Sequence, residues 1–298
     1  NFDFTFLQET LKRLGREPLK NPVIDTLSLS RYLEPSARSH NLAALCKRYE
    51  VSYEEDKAHR ADYDASILNK AWQAVLNDLE KQNHNITHED LGKLNISKDL
   101  LRHLRPFHCV GLIKNEKGIR DMYELVSIGH IDYTHITPNI PKSEIARLRA
   151  NMLIGSGCMN GEVFDIARTG DIEKLEKAIS FYDYIEVQPP ENYCYLVNTN
   201  KATKENIISC IKDIIEVCER QNKLVVATGD VQYLTPKEKV FRDVYISSLG
   251  VGKRPHPLSI KSKQKHFENP NQHFRTTQEM LDAFEFLGKE KAEEIVIK

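Results

Sequence analysis

The apolar pattern of this chain changes period near Phe107, and that change limits the folds open to it. Before Phe107 the apolar residues recur at helical spacing. Leu42 and Leu45 share one face of 41–49, and Tyr63, Ile67, Leu68, Trp72 and Val75 share one face of a long helix over about 60–80. Residues 4–14 read as a helix stopped by Gly15, 27–33 as a helix running up to Pro35, and Val23-Ile24 as a short strand-like piece. After Phe107, short apolar runs at 108–114, 152–156, 184–188 and 224–228 alternate with helical stripes around 119–128, 161–168, 172–181 and 204–221. Thr276 and Glu279 form a capping-box pattern that opens a helix toward Phe286. The alternation predicts an α/β fold with a parallel sheet and with chemistry at the carboxyl ends of its strands. A polar stretch, 83–106, reads as a connector with a helix in it, dividing 1–82 from 107–298.

Composition narrows the function classes. The 42 basic and 43 acidic residues nearly cancel, so bulk charge advertises neither nucleic acid nor a membrane surface, and any such contact must come from a local patch. One such patch is the acid-free stretch 250–266, where Lys253, Arg254, Lys261, Lys263 and Lys265 could touch DNA phosphates, a neighbouring domain or only solvent. No apolar run approaches the roughly 18 residues that span a bilayer. The six cysteines show no C-x-x-C pair, which fits reduced thiols in a cytoplasm. The chain begins with Asn1 rather than Met, so it reads as an internal fragment that would be inactive by itself.

Two constellations carry chemistry. The first is His59-Arg60-Ala61-Asp62-Tyr63-Asp64-Ala65 together with Asp3. Hydrolysis of a phosphodiester needs a base and carboxylates that hold hard cations, and a histidine five residues before an aspartate can supply both. On spacing alone the same residues read first as a solvated helix start. The second centres on Cys158 and Asp230, placed at the ends of two expected strands, where a thiol and a carboxylate could share a metal. On spacing alone Cys158 reads first as a small buried apolar residue and Asp230 as a turn or helix cap.

Neighbouring sequence separates these readings. Asn1-Phe2-Asp3 with Phe6-Leu7, then Asp25-Thr26-Leu27, Arg38-Ser39-His40-Asn41-Leu42 and His59 to Ala65, resembles the C-terminal, mostly helical half of an RNase H-like DEDDh-type 3′–5′ exonuclease. The resemblance implies that Asp3 and Asp64 are ligands of Mg²⁺ or Mn²⁺ and His59 the general base. The Asp-x-Glu pair that such enzymes also use would lie upstream of residue 1. Residues 107–298 are similar to the later part of a PHP (polymerase and histidinol phosphatase) βα barrel. The matching pieces are His108 to Asn115 with Gly118, Tyr123 to Ser127, Gly155 to Val163, Tyr182 to Pro190, Val226 to Leu234 and His273 to Thr277. This implies metal positions at His108, Cys158 and Asp230, for Zn²⁺ or Mn²⁺. One departure stands out: Gln232 occupies a place where the family often has histidine, and a neutral amide is a poor ligand for such ions. The family's first two, histidine-rich motifs are also not in this chain, so the PHP part is expected to be mainly a scaffold, or a residual metal site.

An exonuclease followed directly by the later part of a PHP domain resembles the PolC-type DNA polymerase III alpha subunits of Gram-positive bacteria, along essentially every residue. The resemblance implies a primer–template DNA substrate, two-metal proofreading, a sliding clamp as a replisome partner, and no membrane. The competing readings are a stand-alone PHP phosphoesterase or exonuclease and a non-catalytic scaffold module.

Overall fold

Every regular element before residue 110 is helical among the described residues, as the helical spacing there requires. The computed structural model describes residues 2–20, 23–37, 39–57, 60–82, 98–135, 137–248, 256 and 269–297. They cluster into two compact units, 1–105 with 126–141, and 106–125 with 142–298.

In the first unit, α1 (Phe2–Arg13), α2 (Thr26–Leu33), α3 (Leu42–Arg48), α4 (Ala61–Gln82) and α5 (Lys98–His103) follow one another. Gly15, at φ +62°, takes the left-handed conformation that ends a helix, where a side chain would strain the backbone. The Asp25 carboxylate accepts from Leu27 N at the start of α2, and Asn41 Oδ1 accepts from Ala44 N at the start of α3. Each cap satisfies a donor that the first helical turn leaves free.

The core of this unit is a single stripe. Ile67, Ala71, Val75 and Leu79 recur every four residues along α4 and bury against Leu29, Leu45 and Cys46, with Trp72 and Tyr63 packed alongside. Two expectations are corrected. Leu68 lies off the stripe and is exposed, because Ala71, too small to stand out in sequence, carries the buried line. Val23-Ile24 forms no strand: among the described residues of this unit no strand offers a ladder, and Ile24 packs on the helical core instead.

Buried Ser30 anchors a polar knot beneath α2 and α3. Its Oγ accepts from Arg48 Nη1 at 2.9 Å and lies 3.0 Å from His40 Nδ1, while Arg48 pairs with Glu34. Burial, then the charges of Arg48 and Arg31, hold the His40 imidazole below its ordinary value. The unfolded chain therefore takes up the proton first as pH falls. Stability of this unit is expected to be complete above about pH 6.5 and to decline below it. Hydrogen exchange of α2 and α3 in the full-length protein checks this: protection corrected for intrinsic rate should fall toward pH 5.5, and His40→Gln should flatten the trend.

The second unit is built on a four-stranded sheet in the order β1 (Val110–Ile113), β2 (Met152–Gly155), β3 (Tyr184–Val187) and β4 (Leu224–Ala227). Strands β2, β3 and β4 run parallel. Strand β1 does not, which corrects the expectation of a parallel sheet. Ile113, the last residue of β1, faces Met152, the first of β2. Two helices, α6 (Glu116–Asp132) and α7 (Lys142–Leu148), separate these strands and return the chain to the end of β1 from which it left. An apolar run reports burial, not direction, so the sequence pattern carries no sign of this reversal.

Beyond β2 the order is α8 (Glu162–Ala167), α9 (Ile172–Phe181), β3, α10 (Cys194–Asn198), α11 (Lys204–Arg220), β4, α12 (Lys239–Ser247), α13 (Thr277–Ala283) and α14 (Lys289–Ile297). Of the expected stripe on α11, Ile207, Ile211, Ile214, Ile215 and Cys218 are buried while Ile208 is only half-buried, and Ile185 and Val187 are buried on one face of β3. The Thr276–Glu279 capping box forms as read from sequence, and a second joins Thr203 and Asn206 at the start of α11. No helix among the described residues is long and apolar enough to cross a membrane.

Candidate functional sites

Asp64 stands in the first turn of α4, where the unpaired amides of a helix start favour a carboxylate. Its sequence neighbour Tyr63 accepts at its hydroxyl from Glu54 N at 2.6 Å, and its ring lies 6.2 Å from that of Tyr53. Among the described residues Asp64 Oδ1 is buried without a hydrogen-bond partner. A buried carboxylate oxygen left without a donor is costly unless a cation or another donor meets it. The residue therefore fits the ligand role expected of it. His59 lies outside the described residues. Asp3 lies on α1, and its side chain is likewise outside them.

The second site is assembled by close backbone approaches. The turn 156–161 follows β2 and folds against the segment before β1: His108 N donates to Asn160 O at 3.0 Å, and His108 bridges Gly161 in parallel. Glycine is required here. A Cβ on Gly157, at φ +74°, would sit 2.9 Å from His108 O, and one on Gly161 would sit 2.2 Å from Ser156 O. This clasp brings Cys158 Sγ to 3.3 Å from His108 Nδ1. Burial above all pushes the Cys158 thiol up, with the Asp230 charge adding to it against the Asn160 amide.

Asp230 follows β4 with φ +46°. Its Oδ2 accepts from Gln272 Nε2 at 2.8 Å and its Oδ1 from Gln232 Nε2 at 3.3 Å. An ion bound tetrahedrally by sulfur and imidazole places those two atoms about 3.5 Å apart, so His108 and Cys158 have the spacing of a ligand pair. Such an ion needs further donors, and among the described residues no three His, Cys, Asp or Glu side chains gather into a metal cage. With amide donors on both oxygens of Asp230, the residues described do not fit a metal centre.

Glu186 escaped the sequence reading, although it is the one charged residue of β3. It shares a face with Tyr184 beside Gly155, and its Oε1 is buried without a hydrogen-bond partner among the described residues. Burial chiefly holds its carboxyl above the usual range, against hydrogen bonds from Thr228, the Gly157 backbone and Tyr184, with the Asp230 charge adding to the rise. A cleft of about 730 Å³ opens beside Pro189, Pro190, Cys194, Ile208 and Phe286, and none of the expected site residues lines it. Lys253, Arg254, Lys261, Lys263 and Lys265 all lie outside the described residues.

Residues 41–199, more than half the chain, match the PHP domain model, and residues 1–71 match that of an exonuclease family. The chain belongs to the PHP domain family. Along its whole length it is similar to the DNA polymerase III PolC-type proteins of Bacillus subtilis (41% identical over 306 residues), Halalkalibacterium halodurans (37% over 301) and Listeria monocytogenes (35% over 300). Each alignment takes in 100% of this chain and 20% of the relative, so the chain spans about a fifth of the length of the curated relatives it matches.

Proposed function

We propose that this chain is part of a PolC-type replicative DNA polymerase, joining a portion of its 3′–5′ proofreading exonuclease (1–82) through a connector (83–106) to a PHP portion (107–298). The observation that carries the reading is the similarity to PolC-type DNA polymerase III along the whole chain, with the exonuclease match preceding the end of the PHP match. A primer–template is then the substrate, a sliding clamp a replisome partner, and the cytoplasm the place of action.

In this reading Asp64 and Asp3 hold divalent ions, and the unpartnered Oδ1 of Asp64 supports the assignment. Mg²⁺ or Mn²⁺, when bound, supplies charge neutralisation and polarisation at the scissile phosphate. His59 takes the proton from the attacking water. The PHP portion serves as a scaffold. The deciding experiment is excision of a mismatched primer terminus by the full-length protein carrying His59→Ala.

The basic stretch gives a separate test. Changing Lys261, Lys263 and Lys265 together to alanine in the full-length protein is expected to weaken primer–template binding and to shallow its salt slope by about one unit for each phosphate no longer neutralised. An unchanged slope would assign these lysines to solvent.

A further inference from the structure

We propose that the strand-end cluster of this PHP portion is closed by its own side chains, Gln232 and Gln272 capping the two oxygens of Asp230 where a metal ion would otherwise sit. The amides present N–H donors to the carboxylate, at 3.3 Å and 2.8 Å, so both oxygens are engaged from within the chain. The other two expected ligands, Cys158 and His108, stand 3.3 Å apart, so the closure rests on Asp230. An arriving divalent ion would have to displace both amides and strand that of Gln272, which is 8% exposed.

The backbone is built around this arrangement. Four described non-glycine residues have positive φ, and Glu50, Asn200 and Asn222 each come just after a helix. Asp230 instead leaves a strand, so its left-handed conformation must be held by what surrounds it. Gln232 N donates to Gln272 O at 2.8 Å, Gln272 N to Tyr233 Oη at 2.9 Å, and Phe274 N to Tyr233 O at 3.0 Å, while Tyr233 and His273 form a parallel bridge. Asn271 Nδ2 reaches Glu191 Oε1 at 2.6 Å, and Arg275 pairs with the other oxygen of Glu191. One hydrogen-bonded knot therefore ties the exits of β3 and β4 to the segment that enters α13. Its role is to hold these strand ends without an ion.

The inference rests on the PHP portion alone and stands or falls apart from the exonuclease assignment. The full-length protein, expressed with zinc and manganese supplied, is compared with its Cys158→Ser variant by metal analysis, and equal metal content is expected. Hydrogen exchange at 230–234 in the wild type should be unchanged by a strong chelator. Gln272→Leu should speed it on the order of tenfold. Loss of one metal equivalent in Cys158→Ser, faster exchange on chelation, or exchange in a folded Gln272→Leu equal to wild type would each overturn the proposal. Should Gln272→Leu fail to fold, the chelator comparison on the wild type still decides.

Discussion

Replacing His59 by alanine in the full-length protein is expected to slow removal of a mismatched primer terminus by about 10²–10⁴-fold while leaving primer extension intact, the range set by losing a general base. Asp64→Asn should cost at least as much. The amide keeps the size of the side chain but surrenders the charge that its buried, unpartnered oxygen offers to a cation. Residues that act on one reacting phosphate behave as a unit, so the double variant should be scarcely slower than the worse single one. Single-turnover excision under saturating Mg²⁺ reads the chemical step directly. Excision at the wild-type rate in His59→Ala would remove the histidine from the mechanism, and unchanged excision in Asp64→Asn would remove the carboxylate. Parallel loss of extension would point instead to damage spread through the fold.

What sequence made legible here was local, and what it hid depends on distant segments meeting. The stripe of α11 and the capping box at Thr276 are set by residues three and four apart, so their spacing alone foretold them. The direction of β1 was hidden, because it follows from the path of two helices that lie between β1 and β2. The same division runs through the sites. His59 and Asp64 sit within one short motif, and the glycines of 155–161 lie beside the cysteine they position. Gln232 was noticed because it replaces an expected ligand beside Asp230. Gln272 was not, since only the meeting of 230–233 with 270–273 gives its amide a target. Glu186 was hidden for a related reason: a strand pattern tells which residues share a face, not which partners burial withholds.

Gly161→Ala is expected to cost about 3 kcal/mol of local stability in the PHP portion, at the upper end of what overpacking does. The backbone conformation is not the obstacle: at φ −76° and ψ 158°, alanine is at ease. The added carbon would meet Ser156 O at 2.2 Å and Cys158 O at 2.9 Å, and both are carbonyls of the tight turn itself, which cannot swing aside like a side chain. Relief requires opening the turn. That would pull Cys158 from His108 and weaken the 2.9 Å bond that Glu186 N donates to Ser156 Oγ, coupling the damage to β3. Hydrogen exchange of β2 and β3 amides in the full-length protein should then accelerate by roughly a hundredfold, the factor that corresponds to about 3 kcal/mol. Gly170→Ala is the control. It has φ +71° but nothing within 4 Å of its Cβ position, so it should cost only the left-handed strain of about 1 kcal/mol. If Gly161→Ala exchanges no faster than Gly170→Ala, the turn yields more easily than its close carbonyls imply, and the glycine is not what holds Cys158 against His108.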